Sequence, residues 1–321
     1  MNTYLQKKRT IMMKIFTLLV FIITGLSTFG QKKQVCFSFD DLPVVSYGIT
    51  DQGYQKNLMN KLIVSLKKNK IPAIGFVNEG KLFEDNNMST FQLGLLKSWV
   101  NSGLEIGNHT YSHSDYNKTS FDDYSKDILK GETVTKSILK GKGKTIKYFR
   151  HPYLHVGNTK AKADSLSDFL MKHGYTVAPV TIDNEDYLFA IAYKRAQDKG
   201  DRNLKLKIGT DYVKYMELKL QYFEKEANKL FGRDIKQILL LHASSLNSDY
   251  VDSLAIMFRK NNYEFISMDK ALEDKAYQSE ITRFGNWGIT WLDKWAMSQG
   301  KKGDFFKDEP ITPDYITTLA K

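Results

Sequence analysis

Short apolar runs alternate with segments of helical period from residue 35 to about residue 275. Val35–Asp40, Ala73–Val77, Leu104–Asn108, Ile146–Arg150, Thr176–Ile182, Ile238–Leu241 and Glu264–Ser267 read as strands. Several are apolar almost throughout, as parallel strands covered on both faces are. Between them, Tyr54–Lys68, Phe91–Asn101, Phe121–Leu139, Thr159–His173, Tyr212–Leu230 and Asp249–Lys260 read as helices. Leu58, Leu62 and Leu66 mark the buried stripe of the first. Strand, helix, strand in repetition predicts a parallel α/β barrel or wound sheet. Two stretches depart from that rhythm. Tyr187 to Asp211 reads as a long connection with a helical start and a polar run from Gln197 to Lys207. A tail follows residue 275, with Trp287, Trp291 and Trp295 at a spacing of four that predicts one helical face, packing the tail onto the barrel, with a sugar-stacking platform the alternative.

The strands end in polar groups. Asp40 and Asp41 close the first, His109 and His113 follow the third, and Arg150 closes the fourth. Asp183 and Asp186 follow the fifth, and His242 caps the run Ile238–Leu241. A titratable group at the end of a buried apolar strand is a poor choice for stability, so five such ends point to one shared mouth at the C-terminal face. One carboxylate with two imidazoles makes a three-ligand metal site with room for water, which is how catalytic zinc is held. The second carboxylate is then free to act on that water. Each piece alone is common: an Asp pair also serves as a turn or cap. The His spacing recurs at His151 and His155, where Pro152 opposes a helical turn.

In order, these segments resemble the five motifs of the polysaccharide deacetylases of carbohydrate esterase family four. Ser38-Phe39-Asp40-Asp41-Leu42-Pro43 resembles the first, with Leu42 where the family usually has Gly. His109-Thr110-Tyr111-Ser112-His113 matches the metal-binding motif. Arg150-His151-Pro152-Tyr153 resembles the third, with His151 for Pro. Asp183-Asn184-Glu185-Asp186-Tyr187 resembles the fourth, with Tyr187 for Trp, and Leu240-Leu241-His242 matches the fifth. Five short motifs in order are a specific signal.

The resemblance implies a distorted (β/α)7 barrel over residues 31–275 with a C-terminal extension, 276–321, packing on it. It implies a divalent metal, most often zinc, on Asp41, His109 and His113. Asp40 would be the base, oriented by Arg150, and the backbone N–H of Tyr153 an oxyanion donor. His242 would be the acid, supported by Asp186, with Asp183 a second candidate for that support. The implied activity is removal of acetyl groups from an N-acetylated glycan, chitin-like or peptidoglycan. An O-deacetylase of acetylated xylan and a non-catalytic glycan-binding protein on the same scaffold are the alternatives. Leu42 is expected to narrow the site and Tyr187 to alter the wall near the acid; His151 and His155 at the mouth are expected by default to be solvated loop residues, with contact to substrate the alternative.

Composition and charge set the remaining bounds. The 321 residues are 42% hydrophobic and 13% aromatic, which supports a sizeable core. The net charge is +11, but its lysines are scattered among Asp and Glu, without the basic stripe and interleaved aromatics of a nucleic-acid groove. No His-Glu-x-x-His helix occurs, which argues against a zinc peptidase. The only cysteine, Cys36, lies in the first strand and reads as a small buried thiol. Lys14, the apolar run Ile15–Leu26, then Thr28 and Gly30, read as a signal peptide over residues 1–30. An uncleaved anchor is the alternative, although the run is shorter than the roughly 20 residues a spanning helix needs. The expectation is an exported, periplasmic or secreted protein without stable membrane association once the signal is removed.

Overall fold

The computed structural model describes residues 32–321, so the segment read as a signal peptide lies outside the described residues. The strands are β1 (Lys33–Leu42), β2 (Ile74–Val77), β3 (Phe83–Glu84), β4 (Asn87–Met88) and β5 (Glu105–Asn108). They continue with β6 (Tyr148–Phe149), β7 (Thr176–Val177), β8 (Gln237–His242) and β9 (Tyr263–Phe265). β3 and β4 form a small antiparallel hairpin. The other seven, one at each position expected from the sequence, form one parallel sheet in the order β7-β6-β5-β2-β1-β8, with β9 paired to the start of β1. The sheet is curled and partly open. Beyond β7 the chain reaches β8 through a single isolated bridge, Ile182 to Leu239.

Alternation along β1 sorts its side chains. Val35, Phe37 and Phe39 join the large core between sheet and helices. Cys36 joins a smaller cluster with Ile74, Phe76, Tyr148, Ala178 and Ile238, and Ser38 and Asp40 share its parity. The pairing register breaks between Phe39 and Leu42, and Asp41 takes the left-handed conformation (φ 63°). Such a break lets one strand re-aim its side chains. Leu42 thereby turns into the large core, fully buried, instead of narrowing the site as its place in the first motif predicts. Gly75 makes room for it: a Cβ there would lie 2.1 Å from Leu42 Cδ1.

Four of the expected helices occur with small shifts at their ends: Gln52–Lys68, Thr90–Asn101, Lys160–Lys172 and Ser245–Lys260. Each is capped by a side-chain oxygen, from Asp51, Ser89, Thr159 and Ser244. Three expectations need correction. The single helix over 121–139 is two, Phe121–Lys130 and Thr133–Lys140. A Cβ on the intervening Gly131 would lie 2.4 Å from the backbone carbon of Thr110, so tertiary packing sets the break. The long connection after Tyr187 is also helical, Asp186–Asp198 and then the 30-residue Arg202–Phe231. Its polar run forms the solvated first turns, laced by the Lys207–Asp211 pair. Finally, the tail helix begins only at Trp291 (Trp291–Ser298), so Trp287 stands in a loop, 42% exposed, off any helical face.

Trp291 and Trp295 are buried. The Trp291 N–H donates to Val180 O at 2.7 Å, and Trp295 meets Phe231 and Tyr277 edge-on. Among the described residues no helix is long and apolar enough to cross a membrane.

Candidate active site

Parallel registers bring the carboxyl ends of the strands together. Asp40 lies opposite His242, Val77 opposite Asn108, and Asn108 opposite Phe149. The next residues on β5 and β6 are His109 and Arg150. Asp41, Thr110, His113, Tyr153, Leu154 and Glu185 all adopt left-handed backbone conformations (φ 52–64°), although none is glycine. Such conformations cost about 1 kcal/mol or more each and concentrate at functional sites.

Asp41, His109 and His113 each offer one donor atom, and these atoms lie within 4.8 Å of one another. His113 Nε2 is 3.6 Å and His109 Nε2 3.8 Å from Asp41 Oδ1. Tetrahedral ligands on bonds of about 2.1 Å stand about 3.4 Å apart, so the spacing fits a single ion. His109 Nδ1 is 2.8 Å from the backbone oxygen of Arg150 and must be protonated to donate there. That bond fixes the tautomer and leaves Nε2 as a lone pair toward Asp41, as an imidazole ligand requires. Burial pushes both imidazoles down to about 4 against the pull of Asp41, so they are neutral near pH 7. Burial opposes the Asp41 charge, but the Lys81 ammonium and the imidazoles of His109, His113 and His242 together outweigh it, and the carboxyl is held well below the usual range. Lys81 Nζ also donates to the Asp41 backbone oxygen at 2.7 Å.

Asp40 is buried, with Arg150 Nη1 at 3.1 and 3.3 Å from its two oxygens. Arg150 is itself pinned by Ala178 O (2.8 Å) and Ser38 Oγ (3.0 Å), with its guanidinium over the Phe76 ring. Burial lifts the Asp40 carboxyl above its ordinary range, and Arg150 pulls against that rise. Asp40 Oδ2 lies 3.8 Å from His109 Nε2, beside the three donor atoms.

His242 closes β8, its Nδ1 2.7 Å from Asp186 Oδ1. The second Asp186 oxygen accepts from the His242 N–H (2.8 Å) and from Asn247 Nδ2 (2.6 Å). Burial disfavours a charged imidazole, yet Asp186 overrides it and lifts His242 to about 10. Asp183 does not share this role. Its Oδ1 accepts the N–H of Asn184 at 2.7 Å and caps the turn, while Asp186 takes the ring. Asp40, Asp41, His109, His113, His242 and Tyr153 line one cavity of about 580 Å³.

Residues 29–177 match the sequence model of the family described as polysaccharide deacetylase. That segment is a little under half of the chain and holds the first three of the five motifs. A curated relative, a peptidoglycan-N-acetylglucosamine deacetylase of Bacillus cereus, is 26% identical over 141 residues, and the match spans 44% of each chain. A crystal structure of a Bacillus cereus polysaccharide deacetylase aligns with 74% of this chain and 92% of that one, at 16% identity and a TM-score of 0.50. A family 4 acetyl xylan esterase from Clostridium thermocellum aligns with 75% of this chain and 91% of that one, at 20% identity and a TM-score of 0.49.

The departures from the usual motifs resolve individually. Tyr187, where Trp is usual, lines the cavity, its ring 6.5 Å from that of His242. His151 is not a solvated mouth residue. It is buried between Phe149 and Trp291, its Nδ1 has no partner among the described residues, and burial pushes it down to about 3. His155 does line the cavity, with Nδ1 bonded to Asp115 at 2.6 Å. Sequence reasoning missed Ser38, Lys81 and Asn247. Ser38 was open to inference, since it precedes Asp40 by two and shares its face. The other two are set by tertiary contacts alone.

Proposed function

We propose that this distorted (β/α)7 barrel is a zinc-dependent hydrolase that removes acetyl groups from an N-acetylated glycan, chitin-like or peptidoglycan, outside the cytoplasm. The observation that carries the reading is the convergence of an Arg150-held Asp40 and an Asp186-held His242 on one cavity that also contains Asp41, His109 and His113. Two imidazoles and a carboxylate suit zinc. When bound, the ion supplies Lewis-acid polarisation of the acetyl carbonyl and makes water acidic enough to be used near neutrality.

The chain's own groups perform the rest. Asp40 takes a proton from the attacking water, and its lifted pKa makes it a better base than an exposed carboxylate. Arg150 keeps it ionised and aimed. The Tyr153 N–H donates to the developing oxyanion. His242, protonated through Asp186, gives its proton to the leaving nitrogen. This last pair favours an amide substrate over an ester, because an amine is a poor leaving group until protonated. The name of the curated relative points the same way. A purely glycan-binding role is disfavoured, since nothing the chemistry needs is missing. The export assignment rests on the basic and apolar pattern before Gln31.

The test is acetate release by protein expressed from Gln31, on N-acetylglucosamine oligomers, peptidoglycan and acetylated xylan, before and after chelation and zinc return. Zinc-restored release from the N-acetylated glycans is expected. Release from xylan alone overturns the amide assignment, and sugar binding without release from any substrate overturns the enzyme.

A further inference from the structure

Beside Tyr153 the cavity carries a second imidazole–carboxylate pair that the proposed chemistry does not use. His155 Nδ1 lies 2.6 Å from Asp115 Oδ1, an oxygen that also accepts the Asn117 N–H at 2.9 Å. Both side chains are about 15% exposed, so the ring is fixed by packing as well as by the bond. A carboxylate only accepts, so the neutral ring places its proton on Nδ1 and its lone pair on Nε2. His155 lines the cavity next to Gly288, another lining residue contributed by the tail. A Cβ at Gly288 would stand 3.5 Å from Nε2 and 2.5 Å from the Tyr153 carbonyl oxygen, so only glycine lets the tail backbone pass this close to Tyr153 beside the imidazole. Beside it the Tyr153 ring, 54% exposed, lies 5.8 Å from the imidazole. An open aromatic face next to a fixed hydrogen-bond acceptor is what a sugar ring engages, with its C–H face on the one and a hydroxyl on the other.

We propose that His155, held by Asp115, is a specificity-determining residue that accepts a hydrogen bond from a hydroxyl of the glycan chain. This rests on the glycan reading above. It assigns the residue to binding and not to the hydrolytic chemistry.

The test compares wild type with His155→Phe, which keeps a ring and loses the acceptor, and His155→Gln, which restores a polar atom. For His155→Phe, KM for N-acetylglucosamine oligomers rises about fivefold to tenfold with kcat within about twofold. Calorimetric binding of the same oligomers to the metal-free protein weakens by the same factor, and His155→Gln recovers part of it. Unchanged KM and unchanged oligomer binding in His155→Phe overturn the proposal. So does a fall in kcat at constant KM, or a loss of bound zinc, since either places His155 in support of the reacting centre. If wild type binds oligomers through His155 but releases no acetate, the enzymatic reading fails while this one stands.

Discussion

Asp40 and Asp41 are adjacent in the chain but carry opposite electrostatic burdens. Burial lifts Asp40, while at Asp41 burial is outweighed by Lys81 and the surrounding imidazoles together, so one is suited to take a proton and the other to remain an anionic ligand. Asp40→Asn is expected to lower kcat by about 10²–10⁴ while bound zinc stays near the wild-type stoichiometry. Acetate release and metal analysis on the same sample check it, and near-normal turnover removes Asp40 from the role of base. His242 offers a second measurement. Its ring stays charged up to about pH 10 because Asp186 outweighs burial. Asp186→Asn removes that carboxylate and leaves burial acting, so the His242 pKa falls far below 10 and the imidazole is neutral over more of the working range. An NMR titration of the ring reads this directly. A pKa that stays near 10 in the variant places the source of the shift elsewhere.

At the level of elements, the site depends on the register break in β1. Without it, Leu42 would share the parity of Ser38 and Asp40 and point toward the cavity. The break sends it into the core, against Gly75 and close to Trp99. Gly75→Ala is expected to destabilise the fold by about 1–3 kcal/mol through overpacking, and Leu42→Ala in the same molecule should relieve part of that cost. Urea denaturation of the four proteins of the cycle checks it, and strict additivity excludes the contact. The strands were legible because buried parallel strands are apolar almost throughout, and their polar ends were legible because they break that rule. The helix break at Gly131 was not, because its cause is the Thr110 backbone, distant in sequence. Nor was the helical start at Arg202, where only Leu204 of the first turn packs on the core and the surrounding residues are polar and solvated. His151 misled for a related reason: its neighbours Arg150 and Pro152 suggest a loop at a mouth, whereas Trp291 from the tail covers it.

For the whole molecule, the same histidines make stability depend on pH in two opposed ways. His109 and His113 at about 4 and His151 at about 3 lie below the ordinary value of 6.5, so the unfolded chain binds protons there that the folded chain refuses. Their contribution is complete above about pH 6.5 and is lost as pH falls toward 4, at up to about 1.4 kcal/mol per pH unit for each proton. His242 behaves inversely. Its folded pKa of about 10 exceeds the unfolded value, so its contribution is complete below about 6.5 and is lost as pH rises through 10. In the metal-free protein Lys294, which burial pulls down to about 7, offsets the His242 loss on the alkaline side, and Asp293, which burial lifts to about 6, offsets part of the acid-side loss, so the net expectation is a fall in stability from pH 6.5 toward 4.5 and a shallow alkaline side. His151→Phe should flatten the acid side only, because it removes one buried base far from His242. Zinc at about 100 times its Kd should add about 2.7 kcal/mol at neutral pH, and this gain should shrink as pH falls, because His109 and His113 must be unprotonated to bind. Urea titrations from pH 4.5 to 10, with chelator and with zinc, measure all three features. An acid side that stays as steep in His151→Phe, or a zinc increment independent of pH, contradicts the burial of these imidazoles as neutral groups.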